Sequence, residues 1–247
     1  MKGGGRARKL PVVATVIFLR HGRTTSNADG TLAGHQPVGL DDTGQLQAKA
    51  AGERLAGVRL AAVVTSPLAR CRETLALALP DSAPQVDERL IECGYGDWEG
   101  QSLKKLAKDP LWKVVQQHPS AATFPGGEPI ATMSARAVAA VRDWDAQVNA
   151  QHGPDALWLA CSHGDVIKAI VADALGIHLD MFQRIVIEPA SVTVINYTPL
   201  RPFVLRLNDS GAPLSTLVPR RKTRRRRSTR DSDAAVGGGA GLAEEVA

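Results

Sequence analysis

Two histidine–glycine steps hold the most reactive side chains of this sequence. One is Arg20-His21-Gly22, near the start; the other is Ser162-His163-Gly164-Asp165, far downstream. A neutral imidazole is a nucleophile or a proton carrier. An arginine guanidinium is a permanent forked cation that grips oxyanions, and glycine lets a backbone come close to a ligand. A third stretch, Thr65-Ser66-Pro67-Leu68-Ala69-Arg70, places another guanidinium one turn into a helix, and Thr24, Ser26 and Asn27 add short polar groups after the first histidine. Two histidines, two arginines and a helix N-terminus in one pocket suit an anion with several oxygens, above all phosphate. Read as metal ligands, the two histidines would need a third partner, and none convincing is present.

These residues can meet only if their elements end at one edge. Residues 12–19 form an apolar, β-branched run of strand length with no polar alternation, as in a strand buried on both faces of an α/β sheet. Residues 61–65 and 156–161 read the same way, and parallel α/β sheets place their chemistry past the carboxyl ends of the strands. Helices are expected over 43–56, with Thr43 as N-cap, and from Ser66-Pro67 to 79, with Ser66 able to cap. Residues 102–117 look helical with a break at Asp109-Pro110, and 132–149 carry Met133, Val138, Val141 and Val148 among their apolar positions. A helix follows His163 to about Leu175, and 191–197 and 203–207 are the last strands. Residues 24–42 read as a long polar loop, and 90–100 as irregular. Strands alternating with helices predict a single α/β domain, a mostly parallel sheet covered on both faces.

The net charge of +5 belongs to the ends. Lys2, Arg6, Arg8 and Lys9 make residues 1–11 a flexible basic N-terminus, and Arg220 to Arg230 crowd cations into residues 208–247. Between them, residues 12–207 are near neutral and form the expected domain. The tail, Arg-rich and then Gly/Ala-rich, cannot bury enough apolar surface to fold and is expected to be disordered. Its basic run could contact nucleic acid or an acidic partner, but no interleaved aromatics are present to stack bases. A solubilising extension is the simpler reading.

Cys71, Cys93 and Cys161 are odd in number and widely spaced, which fits a reducing cytoplasm and neither a disulfide framework nor a zinc site. The first apolar run ends in Arg-His-Gly, unlike a signal peptide, and no stretch approaches a membrane span.

Five blocks stand in order: Leu19-Arg20-His21-Gly22-Arg23-Thr24 with Asn27, Thr65-Ser66-Pro67-Leu68-Ala69-Arg70-Cys71-Arg72-Glu73-Thr74, residues 90–100 around Glu92, Pro125-Gly126-Gly127-Glu128, and Ser162-His163-Gly164-Asp165. In this order, over about residues 12–207, the chain resembles the histidine phosphatase superfamily, the phosphoglycerate mutase-like proteins. The resemblance implies a three-layer α/β/α domain. It assigns His21 as the nucleophile that forms a phosphohistidine, and Arg20 and Arg70 as clamps on the phosphoryl oxygens. Asn27 and His163 become further donors, and Glu92 the general acid. Thr24, Gly22 and Gly164 complete the substrate-binding wall. Neither metal nor cofactor is implied, and the substrate would be a small phosphorylated molecule. For Glu92, nearby cations would lower the carboxyl pKa and burial beside Tyr95 or Trp98 would raise it.

The interval from Glu92 to His163 lacks the longer insertion of the mutases, and Cys93-Gly94 stands where the mutases resemble Arg-His. A phosphomonoester hydrolase is therefore favoured over phosphoglycerate mutase-type transfer. A catalytically weak phosphate-ligand binding module is the remaining alternative.

Overall fold

The computed structural model describes residues 14–213, 234 and 236–239. The basic N-terminus, Val12, Val13 and the Arg-rich run of the tail lie outside the described residues.

Six strands form one sheet: β1 (Thr15–Arg20), β2 (Leu60–Thr65), β3 (Gln85–Val86), β4 (Leu157–Ser162), β5 (Val192–Tyr197) and β6 (Pro202–Asp209), in the order β3-β2-β4-β1-β5-β6. The first four run parallel, while β5 and β6 are antiparallel additions at one side. Register brings the chemistry together. Arg20 pairs with Ser162 across β1 and β4, and Thr65 pairs with Cys161 across β2 and β4. The three central strands thus end nearly level, and the residues that follow them, His21, Ser66 and His163, emerge side by side.

Period-2 alternation sends each strand's side chains to both layers. From β1, Val16 and Phe18 join Trp158, Met133 and Ile170 in one apolar cluster, whereas Ile17 and Leu19 join Ala51, Leu55 and Leu75 in the other. The first cluster is covered by α6 (Ile130–His152) and α7 (Gly164–Leu175), the second by α2 (Asp42–Leu55) and α3 (Ala69–Ala78). A strand buried on both faces can be apolar throughout, which is why 14–19 show no polar alternation. The domain is the expected three-layer α/β/α arrangement.

Local expectations need four corrections. The cap of α2 is Asp41, whose Oδ1 accepts from the Gly44 amide at 2.7 Å; Thr43 instead accepts from Arg23 Nη2 at 2.7 Å. Ser66 does not cap α3, which starts later with Leu68 as a cap that makes no side-chain bond. The polar loop after β1 contains α1 (Thr25–Asp29), closed by a reciprocal Thr24–Asn27 capping box that apolar periodicity could not reveal. The two-residue strand β3 is too short to leave a pattern. The break at Asp109-Pro110 is present: it divides α4 (Leu103–Leu106) from α5 (Pro110–Gln117), with Asp109 capping the Leu111 amide at 2.9 Å. Among the described residues no helix is long and apolar enough to cross a membrane.

Candidate active site

His21 leaves β1 held from two sides. Its amide donates to Ser162 O at 3.0 Å, and its Nδ1 lies 2.7 Å from Gly22 O. A carbonyl can only accept, so Nδ1 carries the proton and Nε2 keeps a bare lone pair. Burial, then Arg70 and Arg20, hold the imidazole pKa well below 6.5, so the ring is neutral at pH 7. Gly22 makes this geometry possible: a Cβ there would run into the Gly44 carbonyl of α2. The Gly22 amide in turn donates to Thr74 Oγ1 at 3.0 Å.

Arg70 and Ser66 determine how His163 is set. Arg70 Nε donates to His163 Nδ1 at 3.2 Å, leaving the ring proton on Nε2, which lies 2.7 Å from Ser66 Oγ. Burial and the same arginines push the His163 pKa well below its usual value. The two imidazoles stand with centroids 5.2 Å apart. Both His163 nitrogens are thus engaged within the protein, by Arg70 and Ser66, and its ring backs the lining residues His21 and Arg70. The Arg70 Nη2 donates to Gly34 O at 2.8 Å and Nη1 to Gln36 O at 3.4 Å, and the side chain lines the cavity with His21.

Asn27 is aimed by its own helix cap. Its Oδ1 accepts from the Thr24 amide at 3.1 Å and the Thr24 hydroxyl at 2.9 Å, which turns Nδ2 toward the cavity that Asn27 lines. Thr24 is 1% exposed and acts here by holding Asn27.

Glu92 is 3% exposed, its Oε1 accepting from the Cys93 amide at 2.9 Å. Burial pushes its pKa up to about 7, with the Asp165 charge adding to the rise and the Cys93 amide, Arg70 and Arg20 opposing it. Burial thus outweighs the cations. Asp165 accepts from the Tyr95 hydroxyl at 2.8 Å and pairs with Lys168 at 3.2 Å. The Lys168 pair is an i,i+3 contact within α7, whereas the Tyr95 contact spans seventy residues and was not legible in the sequence.

His21, Asn27, Arg70, Glu92 and Tyr95 share one cavity of about 300 Å³. Arg20 does not open into it. This guanidinium is fully buried, and burial pulls its pKa down to about 10 against the pull of Glu92 and Asp165, so it stays charged at neutral pH. Its Nη1 donates to Ile187 O and to Gly238 O, both at 2.7 Å, and its Nη2 donates to Gly239 O at 2.8 Å. Val236, Gly237 and Gly239 line the cavity, and Asn27 Nδ2 donates to Gly239 O at 3.3 Å. Gly164 lies under the same segment: a Cβ there would stand 2.9 Å from Gly238 Cα. Disorder over all of 208–247 therefore does not hold: residues 208–209 close β6, and 236–239 pack here because Val236 enters the apolar cluster and the glycine carbonyls meet a buried cation; the sequence carries no signal for this beyond a Gly-Gly-Gly run, which reads as low complexity.

The histidine phosphatase superfamily (branch 1) model matches residues 16–210. The glucosyl-3-phosphoglycerate phosphatase of Mycolicibacterium vanbaalenii is 32% identical over 68% of this chain and 77% of its own length. Phosphoserine phosphatase 1 of Hydrogenobacter thermophilus is 27% identical over 78% of this chain and 91% of its own. Among solved structures, Bacillus stearothermophilus YhfR superposes with a TM-score of 0.72 at 30% identity, covering 79% of this chain and 97% of that one. The ordered Arg-His-Gly, Arg70 and second-histidine blocks, the sheet that brings them level and these matches agree: the chain belongs to the histidine phosphatase superfamily.

Proposed function

We propose that this chain hydrolyses small phosphomonoesters through a phosphohistidine on His21. The observation that carries this reading is the His21 Nδ1–Gly22 O contact of 2.7 Å, which leaves Nε2 unprotonated in the cavity it shares with Arg70 and Glu92. In the first step Nε2 attacks phosphorus, the N–P bond forms and the ester P–O bond breaks. The Glu92 carboxyl gives its proton to the leaving alkoxide. In the second step water attacks the phosphohistidine, Glu92 takes the water proton, the N–P bond breaks and inorganic phosphate leaves. A carboxyl with a pKa of about 7 suits both duties, because at neutral pH it is close to half protonated. Phosphoryl transfer leaves charge on the equatorial oxygens, so catalysis is mostly positioning and electrostatics, supplied by Arg70, Asn27 and Arg20 once it faces the group.

Two relatives carry phosphatase names, for glucosyl-3-phosphoglycerate and for phosphoserine, which supports hydrolysis of a small, polar phosphate ester here. A cavity of about 300 Å³ is at the small end for such ligands. The three cysteines are free and buried, which supports a reducing compartment, the cytoplasm. A panel of sugar phosphates, nucleotides and phosphoglycerates, with His21→Ala as control, tests the reading. Phosphate release from at least one ester, absent in the control, supports it. Phosphoglycerate interconversion that depends on 2,3-bisphosphoglycerate would instead make the acceptor a second substrate oxygen.

A further inference from the structure

We propose that the segment Val236-Gly237-Gly238-Gly239 is an autoinhibitory strap that occupies the Arg20 side of the phosphate pocket. A guanidinium has five N–H groups. The four on Nη1 and Nη2 face Ile187 O at 2.7 Å, Gly238 O at 2.7 Å, Gly239 O at 2.8 Å and Gly237 O at 3.4 Å. The fifth, on Nε, is buried with no partner among the described residues. Three of the four terminal positions are therefore filled by carbonyl oxygens of one short segment. With that segment in place, no terminal N–H of Arg20 is left for a phosphoryl oxygen. Asn27, the neutral donor across the pocket, gives its Nδ2 to Gly239 O at 3.3 Å. The carbonyls hold positions that the oxygens of a bound phosphate would take.

The segment is anchored at points outside the reacting groups. Ala234 is clasped by the Gln116 side-chain amide, which donates to its carbonyl at 3.1 Å and accepts from its amide at 3.3 Å. Val236 is 1% exposed and belongs to the same apolar cluster as Leu32 and Tyr95. The Gly237 amide donates to Asp165 Oδ2 at 3.0 Å. Residue type explains the fit. Gly237, Gly238 and Gly239 have φ of 69°, 76° and 56°, the left-handed region that strains other residues. A Cβ on Gly238 would stand 3.0 Å from Arg20 Cζ and from Gly164 Cα. Only glycine lets this backbone lie directly on the guanidinium.

This inference rests on the pocket being a phosphate site, so its test reads phosphate binding directly. Orthophosphate would be titrated calorimetrically into the full chain, into a chain ending at residue 233, and into the full-length Val236→Ser variant, which loses the apolar anchor. A strap closed nine-tenths of the time raises the apparent Kd about tenfold. Truncation is therefore expected to tighten orthophosphate binding about tenfold and to lower KM for a small phosphomonoester in parallel. Val236→Ser should shift both in the same direction by less. Equal affinity in all three forms overturns the strap and leaves the pocket standing. Weaker binding or lower kcat/KM on truncation also overturns it, because the segment would then be a wall the pocket needs. Absence of phosphate binding in every form overturns the pocket and the strap together.

Discussion

Arg70 Nε donates to His163 Nδ1 at 3.2 Å, so one cation fixes the tautomer of the second histidine while its fork reaches the cavity. The proton left on Nε2 has Ser66 Oγ at 2.7 Å as its partner. In Ser66→Ala that buried N–H keeps only the weak acceptor Cys71 Sγ at 3.6 Å, and losing the hydroxyl costs about 1–3 kcal/mol. Urea denaturation of the variant is expected to show a lower midpoint at an unchanged slope. An unchanged midpoint would mean that the His163 proton is satisfied elsewhere.

The nucleophile assignment has a sharper test. His21→Ala is expected to abolish both turnover and the acid-labile, base-stable phosphoenzyme, measured by trapping with labelled substrate. Arg70→Ala and Arg20→Ala should each lower kcat/KM by on the order of 10²–10³, the loss typical of one transition-state donor. Normal hydrolysis by His21→Ala sinks the mechanism, and near-native rates in both arginine variants would put the phosphate elsewhere.

Glu92 makes the two half-reactions respond oppositely to pH. Its pKa is raised to about 7, so the protonated form needed for leaving-group departure is lost as pH rises through about 7. The carboxylate needed for water attack appears over the same range. Single-turnover phosphorylation is expected to slow above pH 7 while dephosphorylation speeds up. Glu92→Gln should flatten both profiles, and should slow an alkyl ester far more than a nitrophenyl ester, whose leaving group needs no proton. His21 adds no limb near neutrality, because its pKa lies well below 6.5.

Asp145 couples pH to stability away from the site. It is buried on α6 with Trp158 Nε1 donating to its Oδ1 at 3.1 Å, and burial raises its pKa from 3.8 to about 6. A raised folded-state pKa means the folded protein holds the proton more tightly than the unfolded chain. Its stabilising contribution is full below about pH 3.8 and is lost as pH rises through about 6. Asn at this position keeps the acceptor for Trp158 and has no charge to bury. Asp145→Asn is therefore expected to raise the urea midpoint at pH 8 and to change it little at pH 4; a lower midpoint at pH 8 would contradict the burial argument.

The chemistry of this protein was legible where local sequence sets local geometry. A β-branched run followed by Arg-His-Gly marks a buried strand and its reactive end, because strand burial on two faces demands continuous apolar residues. Val16 through Leu19 supply both apolar clusters, and His21 follows at the strand's carboxyl end. The Asp109-Pro110 break was equally local. Caps were less legible: Thr43 and Ser66 are both good capping residues, but Asp41 takes the cap of α2, while the Ser66 hydroxyl is engaged by the His163 ring and α3 begins after it, with Leu68 as its cap.

What the sequence by itself determined was the set of reacting groups and the strands that carry them. Only tertiary structure decided their states. The pKa of Glu92 depends on whether burial or nearby cations dominate, and that balance exists only once Arg20, Arg70 and Asp165 are packed around it. The tautomer of His163 depends on an arginine from another strand–helix junction. The occupancy of Arg20 depends on a glycine segment more than two hundred residues away in the chain. A run of glycines has no side chains to announce a partner; its carbonyls acquire meaning only where the fold presents a buried cation to receive them.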